Sequence, residues 1–179
     1  MRDLLHTISA GLLVTLAACG STIENRDPIG EAFPLTEGAT LEEEPVELPT
    51  AYAGRPAVLL IGYKQDAQFD ADRWIYGLMK SELDVAIVEV PTIPGLVPSW
   101  VSGWIDDGMR SGIPREDWGA VVTVYGSAAK PIASLTGTEN GRNIRAVLID
   151  GQGVVRWFHD RGFSPGKLIE LEEAVGALN

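Results

Sequence analysis

The chain has one cysteine and two histidines, and its 14 Lys and Arg stand against 25 Asp and Glu, a formal net charge of −11 over 179 residues. Each shortage excludes something. With a single thiol, Cys19, no disulfide can close within the chain. So acidic a protein makes a poor ligand for nucleic acid, which requires Lys and Arg clustered on one face. The same charge argues against electrostatic attachment to anionic lipid. No apolar run reaches the roughly 20 residues that a membrane-spanning helix needs. A phosphate-binding loop, a Gly-x-Gly-x-x-Gly turn and a Gly-x-Ser-x-Gly elbow are all missing, and there is no internal repeat.

What is present starts with Met1-Arg2-Asp3, an apolar stretch from Leu4 to Leu16, and then Ala17-Ala18-Cys19-Gly20. A short apolar core behind a basic residue and ahead of small ones has the layout of a secretory signal. Leu16-Ala17-Ala18-Cys19 resembles the lipobox of bacterial lipoproteins, which implies that 1–18 is a signal peptide and that Cys19 carries the acyl chains. The lipid would then anchor the protein, each buried methylene contributing about 0.8 kcal/mol. Gly20, in place of a retention aspartate, resembles an outer-membrane address facing the periplasm. Once Cys19 is acylated no free thiol remains for exchange chemistry or for metal binding.

Residues 19–50 show neither helical nor strand periodicity and include Glu42-Glu43-Glu44 and Glu47. They read as a lipidated N-terminus followed by a flexible acidic tether. The 51–179 region reads as one domain, large enough for a single core. Ala57–Tyr63 is a continuous apolar run, the mark of a strand buried on both faces; Val85–Val90 reads as a second strand and Ala120–Tyr125 as a third of the same buried type. Helices are expected near 70–81 and from Ser99 to about Met109, with Pro91 stopping the second strand. A polar connection is expected over 126–142. Two further strands, 144–149 and 154–158, flank Asp150-Gly151-Gln152-Gly153, a strong hairpin signal. Ser164-Pro165 opens a last helix as cap and first-turn proline. The order is βαβαβ, a ββ hairpin and a C-terminal helix, giving an α/β fold with a central mixed sheet and helices on both faces.

That order, with Ala146–Val155 as its best local motif, resembles thioredoxin-like proteins of the extracytoplasmic and peroxiredoxin-related kind. The stretch Tyr63–Trp74 and the ending Ile149-Asp150 through Arg156-Trp157 are similar to the mitochondrial ATP synthase assembly factors. The redox members of the fold place a Cys-x-x-Cys pair between the first strand and its helix. Here the corresponding stretch holds Asp66, Gln68, Phe69 and Asp70. They also place a cis-proline before the hairpin, where this chain has Arg142-Asn143-Ile144-Arg145. Because the thiolate is the reacting species, the resemblance implies a domain without thiol-disulfide oxidoreductase or thiol peroxidase activity.

Other chemistry is weakly signalled. Counted from Asp66, a calcium loop would need glycine at its sixth position and glutamate at its twelfth, where Ala71 and Gly77 stand. Helix-start acids account for Asp70 and Asp72 better. His159 with Asp160 and Arg161 resembles a general base without a nucleophile, and a surface histidine at a strand end is the simpler reading. Asp106-Asp107 with Glu116-Asp117 suits solvated loop and helix surface, and Ser127-Ala128-Ala129-Lys130 suits a turn. Trp100 and Trp104, one helical turn apart, would by default pack into the core. Exposed, they would form the best candidate partner-binding face, with Trp74 and Trp157 able to extend it. The expectation is a non-catalytic binding or assembly module of the cell envelope, without cofactor or metal. It would be bound to the membrane by its lipid and to a protein partner by its surface. The alternative is an extracytoplasmic enzyme, or a metal or small-ligand binder, using carboxylates or His159.

Overall fold

The computed structural model describes residues 22–178; the signal segment and Cys19 lie outside the described residues. Seven strands form one mixed sheet: β1 (Thr36–Thr40), β2 (Pro45–Leu48), β3 (Ala57–Gly62), β4 (Ala86–Pro94), β5 (Val122–Gly126), β6 (Arg145–Ile149) and β7 (Val155–His159). Four helices accompany them: α1 (Gln68–Ser81), α2 (Ser99–Gly112), α3 (Ala129–Thr136) and α4 (Pro165–Gly176). The strand order is β2-β1-β5-β4-β3-β6-β7. β3, β4 and β5 run parallel, and every other pairing is antiparallel.

Alternation along the strands builds a core on each side of this sheet, because successive side chains point to opposite faces. Ala57, Leu59 and Ile61 join Val88, Val90, Val122, Val124 and Val147 under Ala129, Ile132 and Leu135 of α3. Val58, Leu60, Ala146, Leu148 and Trp157 face the other way, under Trp74 and Leu78 of α1 and Leu171 and Val175 of α4. Continuous apolar runs thus reflect strands covered on both faces, and the expected order from β3 to α4 is present with one addition. Residues 129–136, expected as part of a polar connection, form α3: Ile132 and Leu135 fall three apart on one face, and Pro131 sits in the first turn, where it is tolerated. A second difference lies in β4, which runs through Pro91. That residue pairs with Gly62, the last residue of β3, so its missing N–H falls where the β3 ladder ends.

The expected tether is a correction. From Thr22 onward the chain is folded onto the domain. Residues 30–33 run beside β7, with Gly30 N–H donating to Val155 O (2.8 Å), Val155 N–H to Glu31 O (2.9 Å) and Phe33 N–H to Gly153 O (2.8 Å). They cover a sheet edge that would otherwise be open to pairing. β1 and β2 then extend the opposite edge beyond β5. Phe33, Leu41 and Leu48 carry the burial. They are too widely spaced to produce a period, which is why the segment resembled a linker. The domain boundary therefore lies before residue 51. Among the described residues no helix is long and apolar enough to cross a membrane.

Candidate functional site

The parallel strands β3 and β4 end on the same side of the sheet, and the turn from β3 into α1 is where the redox chemistry of the resembling proteins would sit. Lys64–Ala67 make a tight helical turn and α1 follows directly. Asp66 is exposed and forms a 3.3 Å ion pair with Arg142, itself exposed. Gln68 points to solvent and donates to Asp72 Oδ1 (3.0 Å). Phe69 is 74% exposed. Asp70 differs from all of these: it is buried, with Oδ2 accepting from Ile144 N–H (2.9 Å) and Oδ1 from Phe163 N–H (2.8 Å). Its carboxylate clamps α1 to the loops that lead into β6 and α4, and it does so from the first turn of α1, where a helix-start acid is expected from sequence. A proline at 144 would have no N–H to give it.

Beside this clamp stands a group that sequence reasoning missed. Arg145 is fully buried, its Nη1 donating to the carbonyls of Asn143 (2.8 Å) and Asn140 (3.3 Å). Nη2 donates to Asn25 Oδ1 (3.1 Å) and to the carbonyl of Glu139. The Tyr63 ring lies 5.1 Å from its guanidinium carbon. Burial lowers the Arg145 pKa, against the opposing pull of Tyr63, Asp160 and Glu139. Burial also pushes the Tyr63 hydroxyl up to about 12, although Thr136 Oγ1 bonds it at 2.8 Å. An arginine in an otherwise unremarkable strand start gives no local signal, since Arg is almost always exposed.

Asn25 completes the arrangement from the N-terminal segment. Its Nδ2 donates to Asp160 Oδ2 (2.8 Å), and its Oδ1 also accepts from Glu139 N–H (2.9 Å). Ile23 and Thr138 exchange two bonds, Ile23 N–H to Thr138 Oγ1 (2.9 Å) and Thr138 N–H to Ile23 O (2.8 Å). Gly137, at φ +73°, makes this approach feasible: a Cβ there would stand 2.3 Å from Asn25 Cα.

The other candidates separate. His159 is half-buried rather than on the surface, with Nε2–H donating to Gly162 O (2.9 Å) and its ring 6.2 Å from Trp74 and 6.0 Å from Trp157. Trp74 and Trp157 are core residues packed edge to face at 5.9 Å, so they do not extend a surface patch. Asp106, expected outward, accepts from Tyr125 OH at 2.6 Å; burial, then this carboxylate, raises the Tyr125 pKa. Glu116 and Asp117 are exposed. Asp150 staples the hairpin: Oδ1 accepts from Gln152 N–H (2.9 Å) and Val154 N–H (3.0 Å), and Oδ2 from Arg156 Nε (2.5 Å). Burial opposes its charge, yet these donors hold its pKa below the usual carboxylate range. The apolar-Asp, Gly-turn, Arg ending is thus a folding device. A cleft of about 560 Å³ lies at the other end of the sheet, lined by Gly54, Arg55, Asp84 and Leu178 among others. Among the described residues no three His, Cys, Asp or Glu side chains gather at metal-holding distances.

That leaves α2. None of its residues is buried, and Trp100 and Trp104 are 77% and 75% exposed. The default expectation of core packing is overturned here: Val101, Ile105 and Met109 turn inward and are half-buried, while the tryptophans face out. Arg110 fastens the helix end, its Nε donating to Leu41 O at 2.8 Å.

No protein-family model matches the sequence, and no curated protein matches it. Solved structures do. The SCO1/SenC family lipoprotein from Bacillus anthracis str. Ames superposes with a TM-score of 0.56 at 15% identity, over 87% of this chain and 99% of its own. Yeast Sco1 with copper bound gives 0.58 at 11%, over 85% and 95%. The fold is thioredoxin-like. The exposed lipoprotein thioredoxin Etrx1 from Streptococcus pneumoniae strain TIGR4 gives 0.54 at 11% identity, covering 78% of this chain and 98% of that one. At such identities the likeness concerns the fold, since one fold hosts many functions. In this thioredoxin-like domain the turn after β3 holds Asp66, Gln68, Phe69 and Asp70, and no cysteine occurs after Cys19.

Proposed function

We propose that the protein is a redox-inactive thioredoxin-like binding module of the cell envelope, anchored by acylated Cys19 and engaging a protein partner through α2. The observation that carries this reading is the outward-facing pair Trp100 and Trp104 on a helix with no buried residue. Tryptophan is the side chain most enriched where interfaces concentrate their binding energy, and a soluble helix does not ordinarily turn two of them to water. The lipobox-like Leu16–Cys19 supports the anchor, as does the existence of lipoproteins with this fold. The likeness of Tyr63–Trp74 and Ile149–Trp157 to assembly factors supports a scaffolding role. Thiol exchange needs a thiolate, and the folded part of the chain has none. Copper(I), held by soft sulfur ligands, likewise finds no cysteine there.

The test is mild crosslinking in intact cells, followed by purification in detergent and mass spectrometry. A single recurrent partner that is lost in W100A/W104A, and retained in D66A, is the expected result. A chain with no partner, or a partner indifferent to the tryptophans, would overturn it.

A further inference from the structure

The two ends of the sheet differ in a way that bears on how the domain sits. At the end where β3 and β4 finish, three large apolar side chains are bare: Phe69 in the first turn of α1, Leu96 two residues beyond β4, and Trp100 in the first turn of α2. Ile23 is pinned at this same end, to Thr138, with Asn25 clamped on Arg145 at the start of β6. Only residues 20–22 separate Cys19 from Ile23, and four residues span at most about 14 Å even fully extended. The anchor is therefore short, not the long linker that the sequence suggested.

We infer that this end of the domain faces the bilayer, with Leu96 and Phe69 entering its interfacial zone. The occupant of this patch is the lipid surface to which Cys19 is fixed. The inference rests on the acylated anchor of the proposed function and goes beyond it: a protein partner of α2 is then met at membrane level. The Ile23–Thr138 and Asn25–Arg145 contacts set the orientation, as they fix where the short tether leaves the fold.

The test uses the full acylated chain in vesicles of phosphatidylethanolamine and phosphatidylglycerol, with a spin label on L96C or on M79C. Met79 is exposed toward the other end of α1, and acylated Cys19 does not react with the label. The expected result is a several-fold loss of collision with a water-soluble nickel chelate at position 96, with a matching gain for oxygen, and neither change at 79. Flotation of the vesicles reads the anchor separately. A chain that fails to float contradicts the anchor and the orientation together. A chain that floats with position 96 as open to nickel as position 79 contradicts the orientation alone. Shielding of 96 in cells but not on vesicles would assign the patch to a protein and overturn the inference.

Discussion

The Asp70 carboxylate and the Ile144 amide are joined by a 2.9 Å hydrogen bond across 74 residues of chain, and the second carboxylate oxygen holds Phe163 N–H at 2.8 Å. One side chain thus ties the start of α1 to the entrances of β6 and α4, at the corner where a redox relative would do its chemistry. Losing a buried bond to a charged group costs about 1.5–3 kcal/mol. Asp70→Ala should therefore lower the unfolding free energy by about 2–4 kcal/mol in urea titration. Ile144→Pro, which deletes one of the two donors and also removes a fully buried core side chain, should destabilise at least as much. A wild-type midpoint for D70A would show that the clamp carries no weight.

Glu89 on β4 gives the fold a pH dependence. Burial raises its pKa, Asp72 adds repulsion, and the Gln68 amide works the other way, leaving it at about 7. The unfolded carboxyl titrates near 4.3, so between that pH and about 7 the folded state holds the extra proton. Stability from this group consequently falls as pH rises through that window, by at most about 4 kcal/mol. Glu89→Gln should raise the melting temperature at pH 8 by several degrees and leave it nearly unchanged at pH 4. Equal shifts at both values would remove Glu89 as the cause.

Gly137 tests the folded N-terminal segment. A methyl group at this positive-φ position would collide with Asn25 Cα, and neither residue can withdraw without breaking the Ile23–Thr138 pair. Gly137→Ala should abolish hydrogen-exchange protection of the Ile23 and Thr138 amides while the β3 and β6 amides keep theirs. Cooperative loss everywhere, or none anywhere, would contradict a separately docked strap.

The α2 tryptophans carry the opposite prediction. With both side chains in water, W100A/W104A should change stability by no more than about 0.5 kcal/mol, whereas Trp74→Ala should cost about 3–5 kcal/mol. Thermal melts of the two variants suffice. A large loss from the α2 pair would mean that they serve the core after all.

What the sequence made legible follows from where burial concentrates. β3, β5 and β6 are covered on both faces, so Ala57–Ile61 and Ala146–Ile149 appear as unbroken apolar runs, Val121–Val124 is interrupted only by the buried Thr123, and the turn at Asp150–Gly153 announces its hairpin. β1 and β2 bury single residues at wide intervals, and α3 is two turns long with a proline and a lysine in it, so neither rises above a polar background. The candidate site was less legible still. Asp70 and Arg145 act through backbone groups of distant loops, and side chains whose partners are main-chain amides leave no complementary residue to find. Trp100, Trp104, Ile105 and Met109 do recur at helical spacing, but the period alone cannot say which half of the stripe faces the sheet.

The most direct test of a binding face on α2 is a photo-crosslinking amino acid placed at position 104 in cells, with position 79 on α1 as the exposed control. A discrete adduct at 104 and none at 79 is the predicted result. Identical weak, diffuse labelling at both positions would contradict the account, leaving α2 an exposed helix with no partner.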